Sequence, residues 1–357
     1  MNITFFLGAG ASYNACPILE HQGKKMIRLA TLYLPKEKAD FTKGKPKDLN
    51  DYEDILWDIG CFGNKALEYG TIDIYAKKLD LNGSSPELHR LKQAVSVFLT
   101  VWQLTSDEGL KGFYHDSEKP HVSDPNRQYD FIDKRYMELM ASALVRADNG
   151  HIKLRSNIRF VTWNYDLQLE SAYKSFCPDD QSWDDISETL NFRLKESGNE
   201  DLEICHLNGY HGFYSIPNSD RPQNEHHIMD RTDQTSVHEI LEAIGFVSTS
   251  SKRGTLHFDN HINYAWEQNQ QAQEIRKRAI EIFRQTNFLI IIGYSFPNFN
   301  KEIDQQLFSA LDNRETRVIY QDPNASKLNI SQLVDIEDKL IELEKKNMKN
   351  FLLPYGF

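Results

Sequence analysis

The sequence contains no run of about 18 apolar residues in its 357 positions, so no membrane-spanning helix is expected. The N-terminus has neither a basic stretch ahead of an apolar core nor a small-residue cleavage pattern, and no secretory signal is expected. Only four cysteines occur (Cys16, Cys61, Cys177 and Cys205), with no C-x-x-C pair. That argues against a zinc ribbon or a disulfide framework and fits a reducing, cytoplasmic location. No G-x-x-x-x-G-K-[ST] occurs, so the chain lacks an ATPase P-loop of its own. His226, His227, His257 and His261 show no zinc-ligand spacing, and no metal is expected. Positive charge is also short: 41 Lys and Arg against 52 Asp and Glu give a net charge of −11. The whole-molecule field then repels nucleic acid, and direct nucleic-acid binding is not expected. A basic cluster at Lys24, Lys25 and Arg28 reads mainly as the solvated face of a helix.

What is present is an ordinary globular composition, 40% hydrophobic and 26% charged, in a chain long enough for a large core. Four nearly continuous apolar runs, Ile3–Leu7, Ile158–Trp163, Phe288–Ile292 and Thr316–Tyr320, read as buried parallel strands. A fifth, Leu202–Leu207, is shorter and more mixed. Helical spacing covers Asp51–Leu67, a run opened by Pro86 through Leu99, Phe131–Val145, Asn263–Thr286 and Leu333–Lys346. The expected fold class is therefore α/β: a Rossmann-like parallel sheet flanked by helices, with a largely helical insertion. The expected divisions are 1–30 with 151–330 for the sheet domain, 31–150 for the insertion, and 331–357 for a C-terminal helix and tail. Residues 209–254, rich in His, Asn, Asp, Ser and Pro, read as irregular loop.

Open parallel sheets carry function at the carboxyl ends of their strands. The first such tip is Gly8-Ala9-Gly10-Ala11-Ser12. Its glycines permit a tight turn, and a helix starting there would aim amides and a positive dipole end at a pyrophosphate. The others are Thr162-Trp163-Asn164-Tyr165-Asp166, Cys205-His206-Leu207-Asn208-Gly209-Tyr210-His211-Gly212, Gly293-Tyr294-Ser295 and Gln321-Asp322. Five polar tips in succession point to one shared ligand.

In order, these motifs resemble the sirtuin superfamily and, more narrowly, bacterial sirtuin-like domains that act as NAD-consuming effectors in anti-phage defence. The likeness runs over residues 4–325 and leaves the insertion uncovered. It implies that Gly8, Ala9, Gly10, Ala11 and Ser12 hold the NAD phosphates. It places Asn164 by the nicotinamide ribose with Asp166 nearby, and Gly293, Ser295, Gln321 and Asp322 on the second half of the dinucleotide. NAD is then a substrate, with no metal, and the activity implied is an NAD glycohydrolase that depletes NAD when triggered. Two further readings are a non-hydrolytic NAD- or ADP-ribose-binding subunit and, more weakly, an ADP-ribosyl transferase or deacylase. Deacylating sirtuins carry a zinc module with paired cysteines, which is absent here. Control of such an enzyme implies a homo-oligomer and a separate sensor or translocase ATPase of the HerA type. The insertion and the tail from Phe351 to Phe357 are the candidate contact surfaces.

The family's Leu-His-Gly element supplies a general base, but this sequence reads Leu207-Asn208-Gly209, and asparagine cannot take up a proton. His206 lies two residues earlier on the same face of the strand, and His211 recovers a His-Gly pair if the loop is longer. His206 is preferred narrowly, as a neutral base for water oriented by Asn164. Asp166 either stabilises the cationic ribose or caps the helix after Tyr165.

Overall fold

The structure, a computed structural model, describes residues 1–111, 129–148, 150–194, 202–215, 225–230, 236–249, 259–312 and 314–354. The chain divides into two compact units.

The first unit comprises Met1–Ser12, Ile132–Gly209 and Asn263–Phe357. Its centre is a six-stranded, wholly parallel sheet of β1 (Ile3–Leu7), β2 (Ile158–Thr162), β3 (Ile204–His206), β4 (Phe288–Ile292), β5 (Arg317–Gln321) and β6 (Ile341–Glu344). The spatial order is β6-β5-β4-β1-β2-β3. That is the doubly wound arrangement of a Rossmann-like α/β fold, with its reversal of direction between β1 and β4.

Continuous apolar strands arise because both sheet faces are covered. Phe6 packs edge-on against Phe283, Tyr294 and Phe308 on one face, while Phe5 stacks on Phe160 at 5.2 Å. All five residues of β1 are buried. Leu7 is in register with Thr162 and Ile292, Thr162 with His206, and Ile292 with Gln321. The expected tips therefore leave the sheet along one edge.

The sheet has one strand more than the apolar runs indicate. The helix expected over Leu333–Lys346 does not form. Asp338–Leu340 is a single 3-10 turn and Ile341–Glu344 is the edge strand β6, paired with β5 from Val318↔Ile341 to Gln321↔Glu344. Leu333, Ile336, Leu340 and Leu343 imitate a helical stripe, but Ile341 is buried and Glu342 exposed, as alternation on a strand requires. Among the other helical readings, Phe131–Val145 shortens to Lys134–Ala143 and Asn263–Thr286 to Gln270–Arg284, the latter capped by Asn269.

The second unit comprises Tyr13–Phe131 and Tyr210–Ile262. Its helices include Leu19–Tyr33, Asp51–Tyr69, Ile72–Leu81 and Ser85–Leu104. Asn50 and Glu53 form a reciprocal capping box at the start of the second. Residues 13–30 and 210–262 thus group with the helical insertion, while 132–150 and the C-terminal segment group with the sheet. The grouping follows from packing: Leu19–Tyr33 lies along Asp51–Tyr69, and β6 is hydrogen-bonded to β5. The segment expected to be irregular, 209–254, contains a strand pair, Phe213–Ser215 with Glu225–His227, and a helix, Val237–Thr249; Phe213–Ser215 also pairs with Asp259–Asn260 beyond it. Lys25 is not on a solvated face. It is buried, with Nζ 5.3 Å from the Tyr129 ring centre and 5.8 Å from that of Trp102.

Candidate functional site

The loop after β1 does not run straight into an α-helix. It forms a four-residue 3-10 turn, Ala9–Ser12, and the next α-helix begins only at Leu19. The Gly8 amide donates to the Ile292 carbonyl (3.0 Å), that of Gly10 to Gly293 (2.9 Å) and that of Ala11 to Gly8 (2.8 Å). The expectation of a helix N-terminus aimed at a phosphate is revised accordingly, because these three N–H groups are engaged within the protein.

The engagement follows from missing side chains. A Cβ on Gly293 would lie 2.3 Å from both Ala11 N and Gly10 C, and one on Gly8 or Gly10 would be 2.6 or 2.7 Å from the β4 loop. Gly293 also has φ +60°, a conformation costly for any other residue. Gly293→Ala is expected to destabilise the protein by about 2 kcal/mol or more, read as an earlier midpoint in urea. An unchanged midpoint would contradict this backbone-to-backbone packing.

Ser12 is the centre of a small polar cluster. Its hydroxyl donates to Asp166 Oδ1 (2.9 Å), accepts from Asn164 Nδ2 (3.2 Å) and lies 3.1 Å from the Tyr136 hydroxyl. Asn164 is itself set by its backbone N–H, which donates to Thr162 Oγ1 (3.0 Å). Asp166 Oδ1 also accepts from the N–H of Gln168, the first residue of the helix Gln168–Lys174. One carboxylate oxygen therefore meets both Ser12 and the start of that helix. Burial raises its pKa to about 6, against the opposing bonds from Ser12 and Gln168; nearby Glu170 raises it further and His206 lowers it.

His206 is buried, and neither ring nitrogen is spare. Nε2 donates to Glu170 Oε1 (2.7 Å) and Nδ1 to the Asn164 carbonyl (3.3 Å). Burial alone would lower its pKa, but the Glu170 charge and hydrogen bond, the Asn164 carbonyl and Asp166 outweigh it, and the net shift is upward. The reading of His206 as a neutral base is revised: a ring with two donated protons has no lone pair to accept one. Asn208 is buried too, with Nδ2 3.4 Å from the Trp163 carbonyl and from the Tyr165 hydroxyl, while its Oδ1 has no hydrogen-bond partner among the described residues. His211 belongs to the helical unit, where its ring lies 3.1 Å from Thr100 Oγ1 and 2.8 Å from Gln103 Oε1.

On the β4 and β5 side, Ser295 is exposed and Asp322 half-buried, with Asp322 closing its own turn by accepting from Asn324 N–H. Gln321 is committed elsewhere. Its amide donates to the Asn347 and Asn350 carbonyls and accepts from Leu352 N–H, which anchors the C-terminal segment instead of facing a ligand. Phe351 is buried edge-on against Tyr136, so this part of the tail docks on its own unit. Residues 355–357 lie outside the described residues.

Three supports escaped sequence reading. Asp304, pushed up to about 7 by burial, accepts from Tyr294 and Trp163 beneath the β2 and β4 tips. Glu170 partners His206. Arg135, ion-paired with buried Asp133, donates to the carbonyls of Ala11 (2.8 Å) and Gly10 (3.3 Å) and so braces the first loop. The only signal for Arg135 was its place beside a helix-capping aspartate, which every surface helix can show. Among the described residues no cluster of ligating side chains could hold a metal, and His257 lies outside them. No described helix is long and apolar enough to cross a membrane.

No protein-family model and no curated protein matches the sequence. Two solved structures are similar in chain path. One comes from work on the mechanism and regulation of Sir2 enzymes (11% identity, TM-score 0.39, 96% of this chain and 86% of that chain). The other is Sir2Tm bound to a propionylated peptide (9% identity, TM-score 0.39, 98% and 89%). Likenesses at that level carry no argument about chemistry.

Proposed function

We propose that this protein binds NAD and cleaves its N-glycosidic bond to release nicotinamide and ADP-ribose, as an NAD-depleting effector of anti-phage defence. The observation that supports this reading is the Ser12–Asn164–Asp166 cluster at the adjoining ends of β1 and β2, beside the reversal point of the sheet.

In this reaction nicotinamide leaves with the electron pair of the bond and positive charge develops on the ribose. Water then bonds to the ribose carbon and gives up a proton. Asp166, mostly ionised at neutral pH with its pKa about 6, offsets the developing charge and is poised to take that proton. Asn164 orients a ribose hydroxyl or the water through its amide, and Ser12 holds both side chains in place. Asp322 and Ser295 face the second half of the dinucleotide. None of the histidines is assigned the role of general base.

A second reading is favoured by Asn208, which stands where a base would be expected: a non-hydrolytic NAD- or ADP-ribose-binding subunit. Incubating the purified chain with NAD and following nicotinamide separates the two. Release by the wild type, lost in Asn164→Ala by about 10²-fold or more, supports the hydrolase. Binding of NAD by calorimetry without release, even with a HerA-type ATPase or other partner present, supports the binding subunit. Neither binding nor release overturns both. Self-assembly and a separate trigger are part of the proposal because an enzyme that depletes NAD without control would harm its host.

A further inference from the structure

We propose that Glu170, acting through His206, is a positioning residue for the Asn164–Asp166 loop, and that this buried pair sets the alkaline limit of the reaction. The second half of the statement rests on the hydrolase reading; the first does not.

The argument begins with donors and acceptors. His206 ends β3, and its two ring nitrogens meet Glu170 Oε1 at 2.7 Å and the Asn164 carbonyl at 3.3 Å. A carbonyl has no proton to give, so Nδ1 carries hydrogen, and the Glu170 charge and hydrogen bond at Nε2 favour the doubly protonated ring. Glu170 is fully buried and His206 is 2% exposed, so water does not replace either partner. The groups facing the ring are Glu170 from the helix Gln168–Lys174, Asp166 and the Asn164 carbonyl from the β2 loop, and the Phe192 ring edge-on at 6.0 Å.

The consequence is mechanical. Glu170 lies on the helix that follows the loop and His206 on the neighbouring strand, so the charged ring ties β3 to the loop from both ends. Pinning the Asn164 carbonyl fixes the peptide that carries Asn164 and leads to Asp166. It thereby sets the reach of both side chains to Ser12. Without the ring's Nδ1–H the carbonyl loses its donor and the loop loses one of its fixed points. The sign of the pH effect follows from the direction of the His206 shift, which is upward. The cation is present below the raised value and lost as pH climbs through it, so the clamp fails on the alkaline side.

Glu170→Gln tests this with little change of shape, because the amide oxygen still accepts from Nε2 but carries no charge. Histidine ring nitrogen shifts, read by NMR between pH 5 and 9 and assigned by comparison with His206→Gln, should show an imidazolium at pH 7.5 in the wild type. In Glu170→Gln the His206 titration should move to lower pH by about one unit or more. A neutral His206 ring in the wild type, or a titration unmoved in Glu170→Gln, overturns the clamp whether or not NAD is cleaved. Where nicotinamide release is measurable, Glu170→Gln should lose about 10-fold at pH 8 and about 2-fold or less at pH 6, with KM little changed. Equal loss at both values would indicate a merely structural role and overturn the alkaline limit. If the wild type releases no nicotinamide, the hydrolase reading and the alkaline limit fail together, while the ring titration still decides the clamp.

Discussion

Asp166→Asn is expected to make the protein more stable at pH 8 while lowering nicotinamide release by about 10²-fold or more. Asp166 binds its proton more tightly folded than unfolded, since its pKa rises from 3.8 to about 6. An acid shifted upward costs nothing below the unfolded value. Its cost grows as pH rises between about 4 and 6, and it stays constant above. Two units correspond to about 3 kcal/mol, which the partial exposure of Asp166 reduces to about 1–2 kcal/mol. Asparagine keeps the oxygen that accepts from Ser12 and Gln168 and removes only the charge. Urea midpoints at pH 4 should therefore coincide for variant and wild type, and at pH 8 the variant should unfold later. A variant that is less stable at pH 8 would show that the carboxylate is compensated by contacts other than these. Under the proposed reading, that cost is the cost of a charge kept for chemistry.

Arg135→Met should destabilise the sheet unit by about 3–5 kcal/mol. The guanidinium is the ionic partner of Asp133, and both side chains are almost wholly buried. Removing it strands a charge and also releases the Gly10 and Ala11 carbonyls that it braces. The double variant Asp133→Asn/Arg135→Met should recover part of the loss, because the stranded charge goes with it. Urea unfolding of the two singles and the double measures this coupling. A double variant as unstable as the sum of the singles would mean that the pair is not the source of the effect.

These two sites differ in how far they could be read from the sequence. Asn164 and Asp166 follow an apolar run directly, and a strand end in a parallel sheet is where a polar tip has functional meaning. Arg135 and Glu170 lie inside helical patterns in which charged residues are ordinary, and only their partners mark them. His206 was visible as a histidine near a strand end. Whether it could act as a base depended on Glu170, which is 36 residues away in the chain.

The sequence by itself determined β1, β2, β4 and β5, because strands covered on both faces read as short, nearly continuous apolar runs that stop at turn-forming residues. It also determined the order of the polar tips, which follows from where each apolar run stops. Tertiary structure alone decided that Ile341–Glu344 is a strand, since pairing with β5 outweighs a weak helical stripe. It decided equally that Gly8 and Gly10 donate their amides to neighbouring backbone, because only the approach of the β4 end supplies the Ile292 and Gly293 carbonyls. Local pattern reports which faces of a segment are apolar. Hydrogen-bond partners and charge states are set by residues that the fold brings in from elsewhere.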